Sequence, residues 1–449
     1  MLAIAATFPE LAGAPEWREH AWKGIETHAA WTVFPDGGFA EDSYAYAAQV
    51  AGQLQWCYQM ALRYQIPFSA AFVQDVRRLH TLFLKTATTA NLRLPFGDTA
   101  RGDGVTPQFA RWAALAFLDG RFKYWAAPCR EDELREAMTL LHPGNPVQAL
   151  EQYHQLAPVP PDTVSDLLPE RGWVVMRSGW EPDATVVALT YRTSERVYHS
   201  GYETLGINVW KGKTPLITRL QGRSGYEGGY PGGFRRTPAT ANLVLAENAG
   251  FTRESGSLRN WYTSAALDYL DADHLGVERC RVKRRILFLK PSWVLILDDV
   301  EGNASPVWQA NTDTVRPVVE GNTAILANGK ATLHFLNAQP DVEAYPLPGS
   351  TQTVYQLKAR SGSSRFVTLL QIGPPSGQPP RLFHEPGMEG VEFAMGRVVW
   401  ESQESKARFL QWRGNGDDWF AASDGNPNPV TPWRVAGSGI PPFRIQENA

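Results

Sequence analysis

The periodicity of the chain changes once, across a stretch punctuated by proline. Residues 142–170 carry Pro143, Pro146, Pro158, Pro160, Pro161 and Pro169. Proline fixes φ and removes a backbone donor, so such a stretch reads as a boundary between folding units. Before it, apolar residues recur every three or four positions; after it they fall in short β-rich runs. The expectation is an α+β multidomain chain. It has a helical domain over residues 1–155, a Pro-rich linker over 156–170 and a large antiparallel β-sandwich over 171–449.

Within the first part, residues 17–30 read as an amphipathic helix, ended by the turn-forming Pro35-Asp36-Gly37-Gly38. A second helix begins near Asp42 or Ser43, both good N-caps, and runs through Tyr46, Val50, Leu54, Cys57, Tyr58 and Ala61. Residues 70–86, 109–118 and 130–141 give further helices, and Leu94-Pro95-Phe96-Gly97-Asp98 reads as a loop. Past Arg171, strands are expected at 174–176, 186–191, 205–210, 243–245, 284–289 and 294–300, and later at 332–336, 366–371 and 398–401. The chain shows no internal repeat and no low-complexity tail.

Composition closes off several function classes. Basic and acidic residues number 43 and 46, a formal net charge of -3, which offers no electrostatic footprint for nucleic acid or an anionic membrane. Cys57, Cys129 and Cys280 lie far apart and specify neither a zinc knuckle nor a disulfide scaffold. No apolar run is long enough to span a bilayer. The first ten residues lack the basic start and apolar length of a signal peptide, so either the protein is cytoplasmic or its real start lies upstream. The 16 Trp and 15 Tyr suit a sugar-binding groove, whose rings cover the C–H face of a pyranose. They suit equally a β-sandwich core, the expectation for most of them.

The run Arg171-Gly172-Trp173-Val174-Val175-Met176-Arg177-Ser178-Gly179-Trp180 carries the most specific signal. It is followed by His199-Ser200-Gly201-Tyr202-Glu203, Pro215-Leu216-Ile217-Thr218-Arg219 and Ala239-Thr240-Ala241-Asn242. In this order the segments resemble the start of the β-sandwich of heparinase II/III-type polysaccharide lyases. Upstream, Pro35-Asp36-Gly37 with Glu41-x-Ser43-x-x-Tyr46, and the Leu94–Asp98 loop, resemble the last helices and closing loop of that family's α/α toroid. The toroid is only partial here. The resemblance implies a periplasmic or secreted protein acting on an acidic polysaccharide or oligosaccharide, with oligomeric state open.

The family reaction is β-elimination at a uronic acid. A base takes the C5 proton beside the carboxylate, and an acid protonates the departing glycosidic oxygen. The site must therefore stabilise developing negative charge. A tyrosine serves as base or acid if nearby positive charge lowers its pKa from about 10. The resemblance gives that role to Tyr46, which as a helix tyrosine fits a core position equally well. It gives a catalytic role to His199, on a loop between strands, which fits a surface histidine as well. Tyr226 and Tyr230, in a segment with six glycines from Gly222 to Gly233, are candidates for a second tyrosine. Glu41, Arg219, Arg223 and Asn242 are candidate substrate-binding residues.

In the family, the second His of the turn, an Asp at the strand end and a late His hold zinc. Here those places read Gly201, Arg219 and Ala241, so neither metal nor cofactor is expected, and an Arg219–Glu203 ion pair is expected to act as the brace instead. Two readings compete with an active lyase: a catalytically impaired glycan-binding relative, and a fragment of a longer lyase.

Overall fold

Two serines start helices by the same chemistry. The Ser43 hydroxyl accepts from the Tyr46 amide at 3.4 Å, and Ser69 from the Phe72 amide at 3.1 Å, each satisfying one of the orphan donors of a first turn. The computed structural model of the chain describes residues 1–97, 99, 102–192, 203–220, 238–247, 255–277, 280–302, 305–346, 353–374, 378–401, 409–414 and 419–423. Its helices are α1 (Leu2–Thr7), α2 (Ala14–Thr32), α3 (Tyr44–Arg63), α4 (Ala70–Lys85), α5 (Thr106–Phe117), α6 (Gly120–Trp125), α7 (Glu131–Leu141) and α8 (Pro146–Gln155). None is long and apolar enough to cross a membrane. The helix α8 stands where proline had suggested a boundary. Pro146 occupies its first turn, where an amide hydrogen would have no helical partner anyway.

The helices pack through one aromatic-rich core. Trp22 meets Phe72 edge-on, Tyr44 meets Phe83, and Phe83 stacks on Phe109 at 4.6 Å between ring centroids. His80 is enclosed in this core, stacked on Trp112 at 4.9 Å. Its Nδ1 lies 2.7 Å from the Val76 carbonyl, so it donates there, leaving Nε2 to accept from the Gln55 amide at 2.7 Å. Burial holds the imidazole down at about 4, well below the ordinary histidine value near 6.5. A depressed pKa gives stability that is complete above about pH 6.5 and is lost as pH falls toward 4. The His80 contribution to this loss between pH 7 and pH 5 is about 2 kcal/mol. His80→Gln should therefore flatten the urea-midpoint profile across that window; an unchanged slope would contradict a buried neutral imidazole.

Among the described residues the strands form four antiparallel sheets. The first runs in order Asp166–Leu168, Trp173–Arg177, Thr185–Thr190, Ile207–Lys211, Thr214–Ile217. Its opening strand lies within the expected linker, paired to the next with Asp166 opposite Val175. An eight-stranded sheet has the order Val318–Glu320, Thr323–Leu326, Ala331–Phe335, Arg365–Ile372, Trp293–Gly302, Cys280–Leu289, Leu267–Val277, Ser257–Thr263. A four-stranded sheet joins Gln339–Pro346, Thr353–Arg360, Ser305–Asn311 and Val244–Glu247. The last sheet takes Arg381–Glu385, Met388–Phe393, Gly396–Glu401, Phe409–Gly414 and Trp419–Ser423 in sequence.

Alternation along the strands explains the layering. Trp173 and Val175 belong to the helical core, whereas Val174 and Met176 belong to the core shared with the eight-stranded sheet. The first sheet is thus covered on both faces, and Trp173–Arg177 is buried at every position. The eight-stranded sheet repeats the arrangement. Leu270, Ile286, Val294 and Ile296 face the core shared with the first sheet, and Leu267, Leu287, Leu295 and Leu369 face Val391, Val398, Trp400 and Trp412 of the last sheet. Trp173, Trp308 and Trp400, among the largest fully buried side chains, lie one in each of the three cores.

Candidate active site at the seam of helices and sheet

The first turn of α3 sits at the junction between the helices and the first sheet. Two aspartates before it hold the junction. Asp36 accepts from the Glu170 and Arg171 amides at 2.8 and 3.0 Å, and Asp42 forms a buried ion pair with Arg171. Gly37 makes the turn possible, with φ +90° and no room for a Cβ against the Arg78 carbonyl. The Arg171 guanidinium lies 4.8 Å over the Trp173 ring, which in turn packs against Phe96 at 4.4 Å. Burial pulls the Arg171 pKa down to about 9, while the charges of Glu203 and Asp36 oppose that fall. Farther along, Arg177 donates from Nε to the Ala87 carbonyl at 2.6 Å and from Nη1 to Asp166 at 2.9 Å.

The loop closing the helical domain is pinned from three sides. Thr99 lies 3.1 Å from the Ser43 hydroxyl and accepts from the Ala45 amide at 3.2 Å. Phe96 is held on Trp173, and the Gly97 amide donates to Glu203 Oε1 at 2.5 Å. The other oxygen of Glu203 receives Arg219 Nη1 at 2.7 Å, and both side chains are buried. The ion pair expected as a brace is therefore present, and it reaches across the seam to the helical loop. Arg219 also donates from Nε to Thr240 at 3.3 Å, and its amide donates to Asn208 Oδ1 at 2.8 Å.

Tyr46 is half-buried in the first turn of α3, packed against the helical core. Tyr44, two residues earlier, points fully into that core, and burial pushes its phenol pKa up. Glu41 is half-buried just before the cap. Asn242 and Arg219 are 1 and 3 % exposed, so their polar groups face protein. Asn242 donates to the Ile207 carbonyl at 2.7 Å and accepts from the Asn311 amide at 2.8 Å, a core bonding role in place of an open groove position. His199, Tyr226, Tyr230 and Arg223 lie outside the described residues, as do Gly201 and Asp98. The Leu220 amide donates to the Thr240 carbonyl at 2.9 Å.

At two of the places where the resemblance implies zinc ligands, the side chains present do not fit a metal. Arg219 brings a cation to the place of a ligand, and Ala241, buried at 2 % exposure, has no donor in its side chain. Among the described residues no group of three His, Cys, Asp or Glu side chains could hold a metal ion. Sequence reading missed Asp42 as a charge partner and Arg171 as its mate, although both stand inside quoted motifs. A charged residue is ordinarily read as surface, and neither carries a local mark of burial.

Comparison with known proteins agrees with this architecture. Residues 1–124 match the family model described as Heparinase II/III N-terminus. The chain is 21% identical over 427 residues to the heparin-sulfate lyase of Pedobacter heparinus, covering 88% of this chain and 60% of that protein. A crystal structure of a heparan sulfate lyase mutant from Pedobacter heparinus superposes with a TM-score of 0.67 at 17% identity, over 90% of this chain and 65% of the other. A heparinase III structure with methylated lysines gives 0.67 at 14% identity, over 94% and 62%. The chain is similar to heparinase II/III proteins and shares their fold, helices followed by stacked antiparallel sheets. It spans about three fifths of the length of the curated relative it matches.

Proposed function

We propose that the chain is a polysaccharide lyase that cleaves a uronic-acid-containing acidic glycan by β-elimination at the seam. The supporting observation is the half-buried Tyr46 in the capped first turn of α3, beside a loop tied to the sandwich through Gly97 and Glu203. In this reading Tyr46 and His199 share the proton transfers, with Tyr226 or Tyr230 as a second phenol. The C5–H bond breaks, its electron pair forms the C4–C5 double bond, and the C4–O bond breaks. The departing oxygen is protonated by the acid of the pair. Glu41 and Arg223 contact the sugar, Arg223 offering a planar fork to a carboxylate. Arg219 and Asn242 serve the same site from behind, holding the strands that flank it.

The test is a panel of heparan sulfate, alginate and related uronate chains assayed for the ultraviolet absorbance of an unsaturated product, with His199→Ala beside the parent. Product from the parent and a fall of about 10²–10⁴ in rate for the variant are expected. Arg219 and Ala241 at places where the resemblance implies metal ligands favour a second reading, a glycan-binding relative without turnover. Binding with no product across the panel is its expected signature.

A further inference from the structure

We propose that Asp42, Arg171, Glu203 and Arg219 act together as an ionic latch that docks the loop residues Phe96, Gly97 and Thr99 and the first turn of α3 on the sandwich, making these positioning residues for Tyr46. The four groups are each at most 4% exposed and carry two negative and two positive charges, so the cluster is balanced internally. A buried charge persists when it is paired, and Asp42 is paired with Arg171 as Glu203 is with Arg219; Glu203 and Arg219 are hydrogen-bonded as well. The pairs act on one object from two sides. Asp42 adjoins the Ser43 cap, and its partner Arg171 stacks on Trp173, against which Phe96 of the loop packs. Glu203 binds the Gly97 amide of the same loop with the oxygen that Arg219 leaves free. Thr99 then joins the loop to Ser43 and Ala45, one residue from Tyr46.

The latch also accounts for the mismatch with a metal. A divalent ion braces loops by gathering separate anionic or neutral donors, whereas here a guanidinium neutralises Glu203 directly. Arg219 still has a buried Nη2 without a hydrogen-bond partner among the described residues. The consequence for Tyr46 rests on the lyase reading above; the docking itself does not.

Amide hydrogen exchange on the full chain separates the two. Arg219→Met leaves Glu203 buried and uncompensated, and exchange at Gly97 should rise by about tenfold or more relative to the strands of the last sheet. Arg219→Lys keeps the charge and should stay within about threefold of the parent. Arg365→Met, which breaks a remote pair with Asp299 and Glu389, serves as the control for general destabilisation and should leave the Gly97-to-sheet ratio unchanged. If the lyase reading holds, Arg219→Met should lower kcat about tenfold or more with KM within about threefold, and Arg219→Lys should restore most of it. Equal Gly97 protection in Arg219→Met and parent would overturn the latch. So would stoichiometric zinc in the purified protein whose removal by a chelator speeds Gly97 exchange.

Discussion

Arg284→Met is expected to cost the fold about 3–5 kcal/mol, the largest single-residue effect in the sandwich. Arg284 is 0% exposed and holds Asp298 on the neighbouring strand in a fork, Nε to Oδ1 at 2.6 Å and Nη2 to Oδ2 at 3.0 Å. Its third nitrogen donates to the carbonyls of Leu205 at 2.5 Å and Asn242 at 3.2 Å, joining the eight-stranded sheet to the edge of the candidate site. The aspartate also accepts from Trp308 Nε1 at 3.0 Å. Removing the arginine leaves a carboxylate in a dry core with one donor. Burial already pushes the Asp298 pKa up, with Arg284 opposing it, so without Arg284 the acid should take up a proton on folding. A folded pKa raised above the unfolded value makes stability fall as pH rises, so the variant's deficit should widen from pH 5 to pH 7. Arg284→Met combined with Asp298→Asn should regain about 1–2 kcal/mol, because the amide needs no counter-charge. Urea unfolding of the three proteins measures this; a single variant within about 1 kcal/mol of the parent would show that the pair carries little.

Tyr46→Phe is expected to lower turnover by about 10²–10⁴ while changing stability by less than about 1 kcal/mol. The asymmetry follows from placement. The ring of Tyr46 packs against the helical core and phenylalanine keeps that packing, whereas the hydroxyl is the group the proposed proton transfer needs. Tyr44→Phe is the matched control. Its phenol is buried beside Thr106 and Val105, so its loss should register in stability and leave turnover within about threefold. Steady-state kinetics and urea midpoints on both variants separate the roles; a Tyr46→Phe enzyme with parental kcat would remove Tyr46 from the chemistry.

The parts of the fold that were legible depend on local chemistry. The caps and heptad-like spacing that mark α3 and α4 are local, as are the apolar runs of Trp173–Arg177 and Trp293–Gly302. The helix α8 was hidden by its own Pro146, and α6 by having only 6 residues. The strand expected from Leu205 begins at Ile207, because Leu205 takes a left-handed φ of +63° before the chain extends. Within the site, the Arg219–Glu203 pair was legible because Arg219, a cation at a place where the resemblance implies a ligand, complements the acid kept in the turn, Glu203. The wider cluster was not. That Asp42 meets Arg171, or that Arg284 bridges Asp298 and Leu205, depends on contacts between residues 129 and 79 positions apart, as the numbering shows. No local pattern encodes such pairings, since arginine on a strand reads as an edge or surface residue until its partner is known.

The central claim is that the seam breaks a glycosidic bond by elimination. Cleavage of a uronate glycan in ¹⁸O-labelled water, followed by mass spectrometry of the fragments, tests it most directly. Elimination adds no water, so fragments with an unsaturated non-reducing end and no heavy oxygen are predicted. Fragments carrying one ¹⁸O at the new reducing end would mark hydrolysis, and that result would contradict the account.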